Sequence, residues 1–384
     1  MEKPNLDFSI LGAGIGGLTL ALALKRRGID VAVYERASSI SEIGAGLLLS
    51  PNAVSILYAI GLEEELAAIS VETPEWRVLD SRGAILSKIR PQLGQIPGIS
   101  LRRSDLQQLL VHRLEPNRIH LGCDAIQISK ESGGRPFIGF ANGKQVSSDL
   151  VAAADGIHSQ IRNSFFQETV KRPSHYVGWR AMVDFVPRGW ENGMVTETWG
   201  RGMRFGLAST GSNRCYWYAS ANRGLDQATT LDERKPLLLQ LFKDWHHPVM
   251  DVLSATPEEQ ILETSIAERP IPKHWHKNGF ILLGDAAHAM TPNLGQGAAM
   301  AIEDAWELSE CLKNSPNIPT ALNRYEQHRR NRVQMVQWAS RFVGLAIQTE
   351  SPFLCAIRDN IVRAVPSRAT QVSLRWIFNP RVRT

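Results

Sequence analysis

The sequence predicts an α/β fold: a parallel sheet with helices on its faces, a mixed β-sheet inserted into it, and helices at the C-terminal end. Three observations predict it. Phe8 to Leu11 is a short apolar run that leads into Gly12-Ala13-Gly14-Ile15-Gly16-Gly17 and then a helical stretch. Phe280 to Leu283 is a second such run, ending in Gly284-Asp285 and a loop marked by Pro292, Gly295 and Gly297. Between them, from His175 to about Glu263, aromatic and apolar residues alternate with polar ones as strands do.

The opening element is the strand at Phe8 to Leu11, and the glycines after it each have a task. Gly12 permits a tight turn, Gly14 lets a pyrophosphate approach the backbone, and Gly17 lets the next helix pack on the sheet. That helix runs to about Arg27 and is closed by Gly28. Val31 to Tyr34 is the next parallel strand and ends in Glu35, about 20 residues on, where an acid binds an adenosine ribose. The unit is a Rossmann-type βαβ. Glu35 would repel a 2′-phosphate, so the expected dinucleotide is FAD or NAD, not NADP.

Leu49-Ser50-Pro51-Asn52 starts a helix over Ala53 to Ile60, and residues 76–90 alternate as a hairpin turning at Ser81-Arg82-Gly83. Arg103-Ser104-Asp105-Leu106 opens another helix with Ser104 as its N-cap. Residues 119–152 read as strands, with Asn142-Gly143 a hairpin turn. In the insert, strands are expected at Tyr176 to Phe185, Val195 to Leu207 and Cys215 to Ser220, with a helix near Leu237 to Trp245. Helices occupy the chain from Ala298 onward. The expected division is 1–73, 101–174 and 273–330 for the dinucleotide domain, 74–100 and 175–272 for the sheet domain, and 331–384 for the C-terminal helices.

Composition narrows the function. Of 384 residues, 43% are hydrophobic and 21% charged, as in a soluble globular protein; no apolar run approaches a membrane span. A net charge of +5 suits anionic small molecules and leaves no footprint for nucleic acid. Cys123, Cys215, Cys311 and Cys355 lack ligand spacing and read as free thiols of a reducing, cytoplasmic compartment, with no metal site. Positive charge gathers late, at Arg324, Arg329, Arg330, Arg332, Arg341, Arg358, Arg363, Arg368, Arg375, Arg381 and Arg383. These read as a solvated helical face. The alternative is peripheral membrane contact through Phe342, Val343, Leu345 and Ile347. The oligomeric state is left open.

A third motif, Val151-Ala152-Ala153-Ala154-Asp155-Gly156-Ile157-His158-Ser159-Gln160-Ile161-Arg162, ends a small-residue strand in Asp-Gly. Asp155 and Ser159 would cap donors of the next helix, and Arg162 would set a cation near a diphosphate. The order GxGxxG, DGxxSxxR and GDAAHxxxPxxGQG resembles the class A flavoprotein monooxygenases over nearly the whole chain. His288 to Ala305 looks most like the salicylate, urate and zeaxanthin-epoxidase branch.

The resemblance implies FAD as cofactor, with NADH or NADPH as a transient co-substrate and O2 as oxidant. It implies hydroxylation of an aromatic or heteroaromatic small molecule through a flavin C4a-hydroperoxide. Gly12, Gly14, Gly16 and Gly17 would cradle the pyrophosphate, Glu35 and Arg36 the adenosine end, and Ala125 the adenine. Arg103 would reach the ribose and diphosphate, and Asp285 the ribityl chain. Pro292 and the backbone from Gly295 through Gln296, Gly297 and Ala298 to Ala299 would face the isoalloxazine. Asp155 would also meet the nicotinamide cofactor. Arg204 and Tyr216 resemble an Arg/Tyr pair facing the substrate in urate hydroxylase. Trp179, Arg180, Trp199 and Trp217 are candidate pocket residues, with sheet core the competing reading for the tryptophans, and His288 is expected to be positional. Epoxidation of a polyene, and a redox-signalling flavoprotein without oxygenation, are the alternative functions.

Overall fold

The computed structural model describes residues 6–40, 45–130, 134–211, 213–224 and 230–379. Ser212 of the expected turn at 210–213, together with Arg381, Arg383 and the side chain of Arg368, lies outside the described residues.

Strand Phe8–Leu11 lies inside a six-stranded sheet, between Val31–Tyr34 and Leu150–Ala153. Ile119–His120 lies beyond the former, and Phe280–Leu282 and then His276–Lys277 beyond the latter. Only the edge pair is antiparallel. Burial on both faces explains why the four inner strands are almost wholly apolar, with Ser9 the exception, and do not alternate. The chain leaves Leu11 toward one side of the sheet and later returns on the other, so a crevice opens at the strands' carboxyl ends. Gly12 and Ala154 meet there: a Cβ on Gly12 (φ +108°) would lie 2.4 Å from the Ala154 carbonyl oxygen. A Cβ on Gly17 would lie 2.1 Å from the Gly12 oxygen, which is how closely helix Ile15–Lys25 packs on the turn.

The second sheet has seven strands, in the order Leu262–Glu268, Arg172–Val183, Cys215–Asn222, Met203–Ser209, Val195–Trp199, Trp76–Asp80 and Ile85–Ile89. The hairpin at 76–89 joins by pairing parallel to Val195–Trp199. One face carries Trp179, Phe205, Leu207 and Trp217 into a separate core under helices Leu231–Leu241 and Val249–Ala255. The opposite face is turned toward the parallel sheet.

Several boundaries differ from the sequence reading. The single strand expected from Val195 to Leu207 is two strands, because Gly200 and Gly202 (φ +65°) turn the chain between them. The helix expected near Leu237 to Trp245 starts six residues earlier, where Thr230 and Glu233 form a capping box, and ends at Leu241. Ser104 is not an N-cap. Arg102 occupies that position, and the buried Ser104 hydroxyl turns to Asp105.

The late arginines are also not a uniformly solvated face. Arg329 on helix Ile318–Ile347 is buried, donating to Glu303, Asp304 and the Met300 carbonyl. Arg332 forks onto Glu303, Arg341 pairs with Glu268, and Arg358 donates to the carbonyls of Gly200 and Ile347. Burial opposes ionisation of Glu303, yet Arg329 and Arg332 outweigh it and hold the carboxyl below its usual range. Burial likewise opposes Asp304, and His288 with Arg329 outweighs it.

Removing Arg329 would leave two buried carboxylates undercompensated. Arg329→Ala should lower the unfolding free energy by about 3–5 kcal/mol, read from urea melts, and Arg330→Ala by less than about 0.5 kcal/mol. The sign with pH comes from the depressed carboxyls. Their contribution is complete above the unfolded values near pH 4 and is lost as pH falls through the lower folded values. The gap between wild type and Arg329→Ala should therefore narrow in acid.

Candidate active site

A cavity of about 1330 Å³ lies between the two sheets and the C-terminal helices. Three surfaces line it: the glycine turns of the parallel sheet, the polar face of the seven-stranded sheet, and apolar side chains of the C-terminal helices.

On the first surface, Gly14 caps helix Ile15–Lys25 and Gly297 begins helix Gly297–Asn314. No protein atom lies within 4 Å of a Cβ built on either glycine, so both backbones are open to a ligand. Neither helix has a side-chain cap, and their free N–H groups and positive dipole ends meet the cavity. Gly16 also lines the cavity and lets the two helices touch, since its Cβ would lie 3.0 Å from that of Ala301. The Glu35 carboxylate accepts from the backbone N–H of Ala13 (2.8 Å) and Ala37 (3.0 Å), at the edge of the fingerprint turn. Gln107, which the sequence reading missed, donates to the Ala13 carbonyl at 2.7 Å and fixes that turn from the outside.

Asp285 and Arg103 line the cavity from facing elements. Enclosure raises the Asp285 carboxyl above its usual range, with His288 and Arg103 pulling it down. Burial and the neighbouring Arg180 lower Arg103, and Asp285 opposes them. His288 is fully buried, and its ring bonds Asp304 at 2.5 Å. Asp304 also accepts from the Gly284 N–H at 2.9 Å, so this pair holds the loop that presents Asp285. The positional reading of His288 agrees with that geometry.

The second surface comes from strand alternation. Arg204 pairs with Ser220 and Ala208 with Tyr216 across adjacent strands, so Arg204, Tyr216 and Tyr218 share a face, and Arg180 opposite Tyr218 joins them. Two glycines make the room: a Cβ on Gly46 would strike the Tyr216 ring at 2.1 Å, and one on Gly206 the Tyr218 ring at 2.1 Å. Arg204 is buried. Its Nε donates to Ser220 Oγ at 3.1 Å, its Nη1 lies 3.8 Å from Glu197, and that Nη1 makes no hydrogen bond. Glu197 accepts from the Tyr218 hydroxyl and, at 2.7 Å, from the Trp199 indole. Burial, chiefly, raises the Tyr216 phenol, with Arg180 and Arg204 drawing it down. Trp199 and Arg180 thus line the cavity, Trp179 borders it while packing in the core of this sheet, and Trp217 lies wholly in that core. Alternation would separate the two sets; Glu197 and Tyr218 were missed because they carry no motif.

Other expected residues lie elsewhere. Pro292, Gly295 and Ala298 line the cavity, but Ala299 is buried behind it. Gln296 turns inward to Ser50 and Asn52. Ala125 sits in strand Ala125–Lys130, away from the cavity lining, and Arg36 is exposed. Asp155 accepts from the Gln160 N–H at 2.8 Å and Ser159 from that of Arg162, as caps do. Arg162 does not line the cavity. It is buried, donates to the carbonyls of Ala286, Ala287 and Pro270, and pairs with Glu168. Its guanidinium braces the back of the Asp285 segment, and burial with nearby Arg269 lowers its pKa to about 10.

The comparisons with known proteins agree with this architecture. The FAD binding domain family profile matches residues 5–339. Aurachin C monooxygenase/isomerase of Stigmatella aurantiaca is 34% identical over 373 residues, covering 95% of this chain and 96% of the relative. The 2-heptyl-3-hydroxy-4(1H)-quinolone synthase of Pseudomonas aeruginosa is 32% identical over 366 residues, covering 93% and 94%. Among solved structures, Klebsiella pneumoniae HpxO complexed with FAD and uric acid superposes with a TM-score of 0.88 at 25% identity, covering 97% and 96%. The chain therefore belongs to the FAD binding domain family and is an FAD-dependent monooxygenase.

Proposed function

We propose that this enzyme hydroxylates a heteroaromatic ring that bears an acidic or enolic oxygen and an apolar substituent, using NAD(P)H and O2. The observation that carries the reading is buried Arg204, whose Nη1 lies 3.8 Å from Glu197 without a hydrogen bond, on one sheet face with Tyr216 and opposite the apolar C-terminal helices across the cavity. The two relatives named for aurachin C and for a heptyl hydroxyquinolone support the substrate class. The buried free thiols suit a reducing, cytoplasmic setting.

Bound FAD would supply hydride acceptance and activation of O2. The chain's residues do the remaining work. The glycine turns and helix N-termini hold the diphosphate, and Asp285 with Arg103 orients the central part of the cofactor. Ser220 holds the Arg204 Nε and Glu197 lies 3.8 Å from its Nη1, and the guanidinium so oriented pairs with a ring oxyanion. That pairing makes the ring electron-rich toward an electrophilic oxygen. Tyr216 stays protonated and donates to the same oxygen. Glu197, already accepting two hydrogen bonds, is a positioning residue. The apolar side chains of the C-terminal helices limit water at the reacting atoms.

A panel of 4-quinolones, phenols and purines, screened for faster NAD(P)H-dependent flavin reduction, tests the substrate class; alkylated heteroaromatics should stimulate most. Arg204→Ala should reduce stimulated reduction and coupled oxygenation by about 10²-fold or more. Its FAD content and Tm should stay near wild type. An arginine that only ties strands together would give the reverse, a lowered Tm with ordinary turnover.

The cofactor side makes a separate prediction. A Cβ at Gly14 meets no protein atom, so Gly14→Val should yield a folded protein with normal circular dichroism and little bound flavin. Asp285→Ala should retain FAD more weakly than wild type in dialysis. Full flavin occupancy in Gly14→Val would contradict the assignment of this turn to the pyrophosphate.

A further inference from the structure

The C-terminal helices Ile318–Ile347, Pro352–Ala364 and Ser367–Phe378 leave a set of large apolar side chains in solvent. Met335, Trp338, Phe342 and Leu345 recur at helical spacing along the first helix. Phe353, Leu354, Ile357 and Ile361 do so on the second, and Val372 and Trp376 stand on the third. Phe342 is 64% exposed and Phe353 72%. Scattered apolar residues need no explanation, but a concentration of this kind marks an interaction surface. The helices are tied together. Arg358 donates to the Ile347 carbonyl, and Arg332 to those of Trp376 and Ile377, so both ends of the short pair are pinned to the long helix.

Two more observations say what covers this surface. The cavity opens through it: Ile361 and Val365 are 59% and 41% exposed and also line the cavity, together with Val343, Ile347, Leu374 and Phe378. Val343 and Ile347 therefore face inward, and only Phe342 and Leu345 of the anticipated face turn outward. The charge is also concentrated here. Residues 331–384 hold eight arginines, no lysine and two acids, whereas acids exceed bases by one in the rest of the chain. Arg332, Arg341 and Arg358 are spent on Glu303, Glu268 and backbone carbonyls, and among the described residues Arg375 and Arg363, the latter 3.6 Å from Asp80, are exposed on the two short helices. Exposed hydrocarbon with excess positive charge suits the surface of an anionic bilayer. A second copy would bring the same charge to the contact and be repelled.

We propose that the C-terminal helices dock on an anionic lipid bilayer, with the cavity mouth against the acyl region, so that a lipophilic substrate passes from the bilayer into the cavity. The docking stands independently of the proposed substrate class; only the route of the substrate rests on that reading.

The test is flotation of the full-length, FAD-loaded enzyme with phosphatidylcholine vesicles, with and without phosphatidylglycerol. The enzyme should float with the anionic vesicles, less so at high salt, and its tryptophan emission should shift to the blue. Phe342→Ser and Phe353→Ser should each cut partitioning about tenfold with FAD content unchanged, since neither side chain lines the cavity. No flotation with either vesicle, or partitioning untouched by both substitutions, would overturn the proposal. So would a vesicle-free dimer that Phe342→Ser dissociates. Flotation by an enzyme that no alkylated heteroaromatic stimulates would uphold the docking and sink the substrate reading alone.

Discussion

Glu303 and Asp304, adjacent on helix Gly297–Asn314, face one guanidinium, that of Arg329, and most of the site depends on that buried cluster. Asp304 reaches the Gly284 N–H and His288, so it holds the loop that carries Asp285. Glu303 reaches Asn52, whose amide group also bonds Gln296 at the start of the same helix. Arg332 adds Glu303 on one side and the last turn of the C-terminal helix on the other. Segments remote in sequence are thereby fixed against one another by charge-assisted hydrogen bonds among buried side chains. The arrangement costs desolvation, which geometry this complete offsets.

That anchoring sets two chemically different sheets face to face. The parallel sheet offers backbone, because its turns are glycine and its helices are uncapped at the cavity. The seven-stranded sheet offers side chains, because alternation sends tryptophans and phenylalanine into a core and Arg204, Tyr216 and Tyr218 into the cavity. A dinucleotide needs the first kind of surface, and a polar aromatic substrate the second. The C-terminal helices complete the cavity with hydrocarbon, and their outward sides remain apolar.

Much of this was legible in the sequence where backbone chemistry demands a residue type. Gly12 and Gly17 sit where no side chain fits, and Glu35 ends its strand beside the fingerprint turn. The motif at Gly284-Asp285 could be placed because a carboxylate after a buried strand has few structural uses. What stayed hidden depends on tertiary partners. Arg162 read as a cofactor cation because its spacing says nothing of the carbonyls of Ala286 and Ala287 that consume it. Arg329 and Arg358 read as surface charge because a helix shows its partners only once packed. The shared face of Arg204 and Tyr216 turned on register, which the turn at 210–213 sets and sequence parity does not. Glu197 acquires its role only through Tyr218 and Trp199.

In the proposed reaction the cavity couples oxygen activation to oxygen insertion in a ring held by Arg204 and Tyr216. Turnover of an alkyl-4-quinolone under isotopically labelled O2, with mass spectrometry of the organic product, tests it most directly. The expected product carries one oxygen atom from O2. Recovery of unlabelled substrate across the heteroaromatic panel, with the label confined to hydrogen peroxide, would contradict it and favour a flavoprotein whose reduction serves signalling.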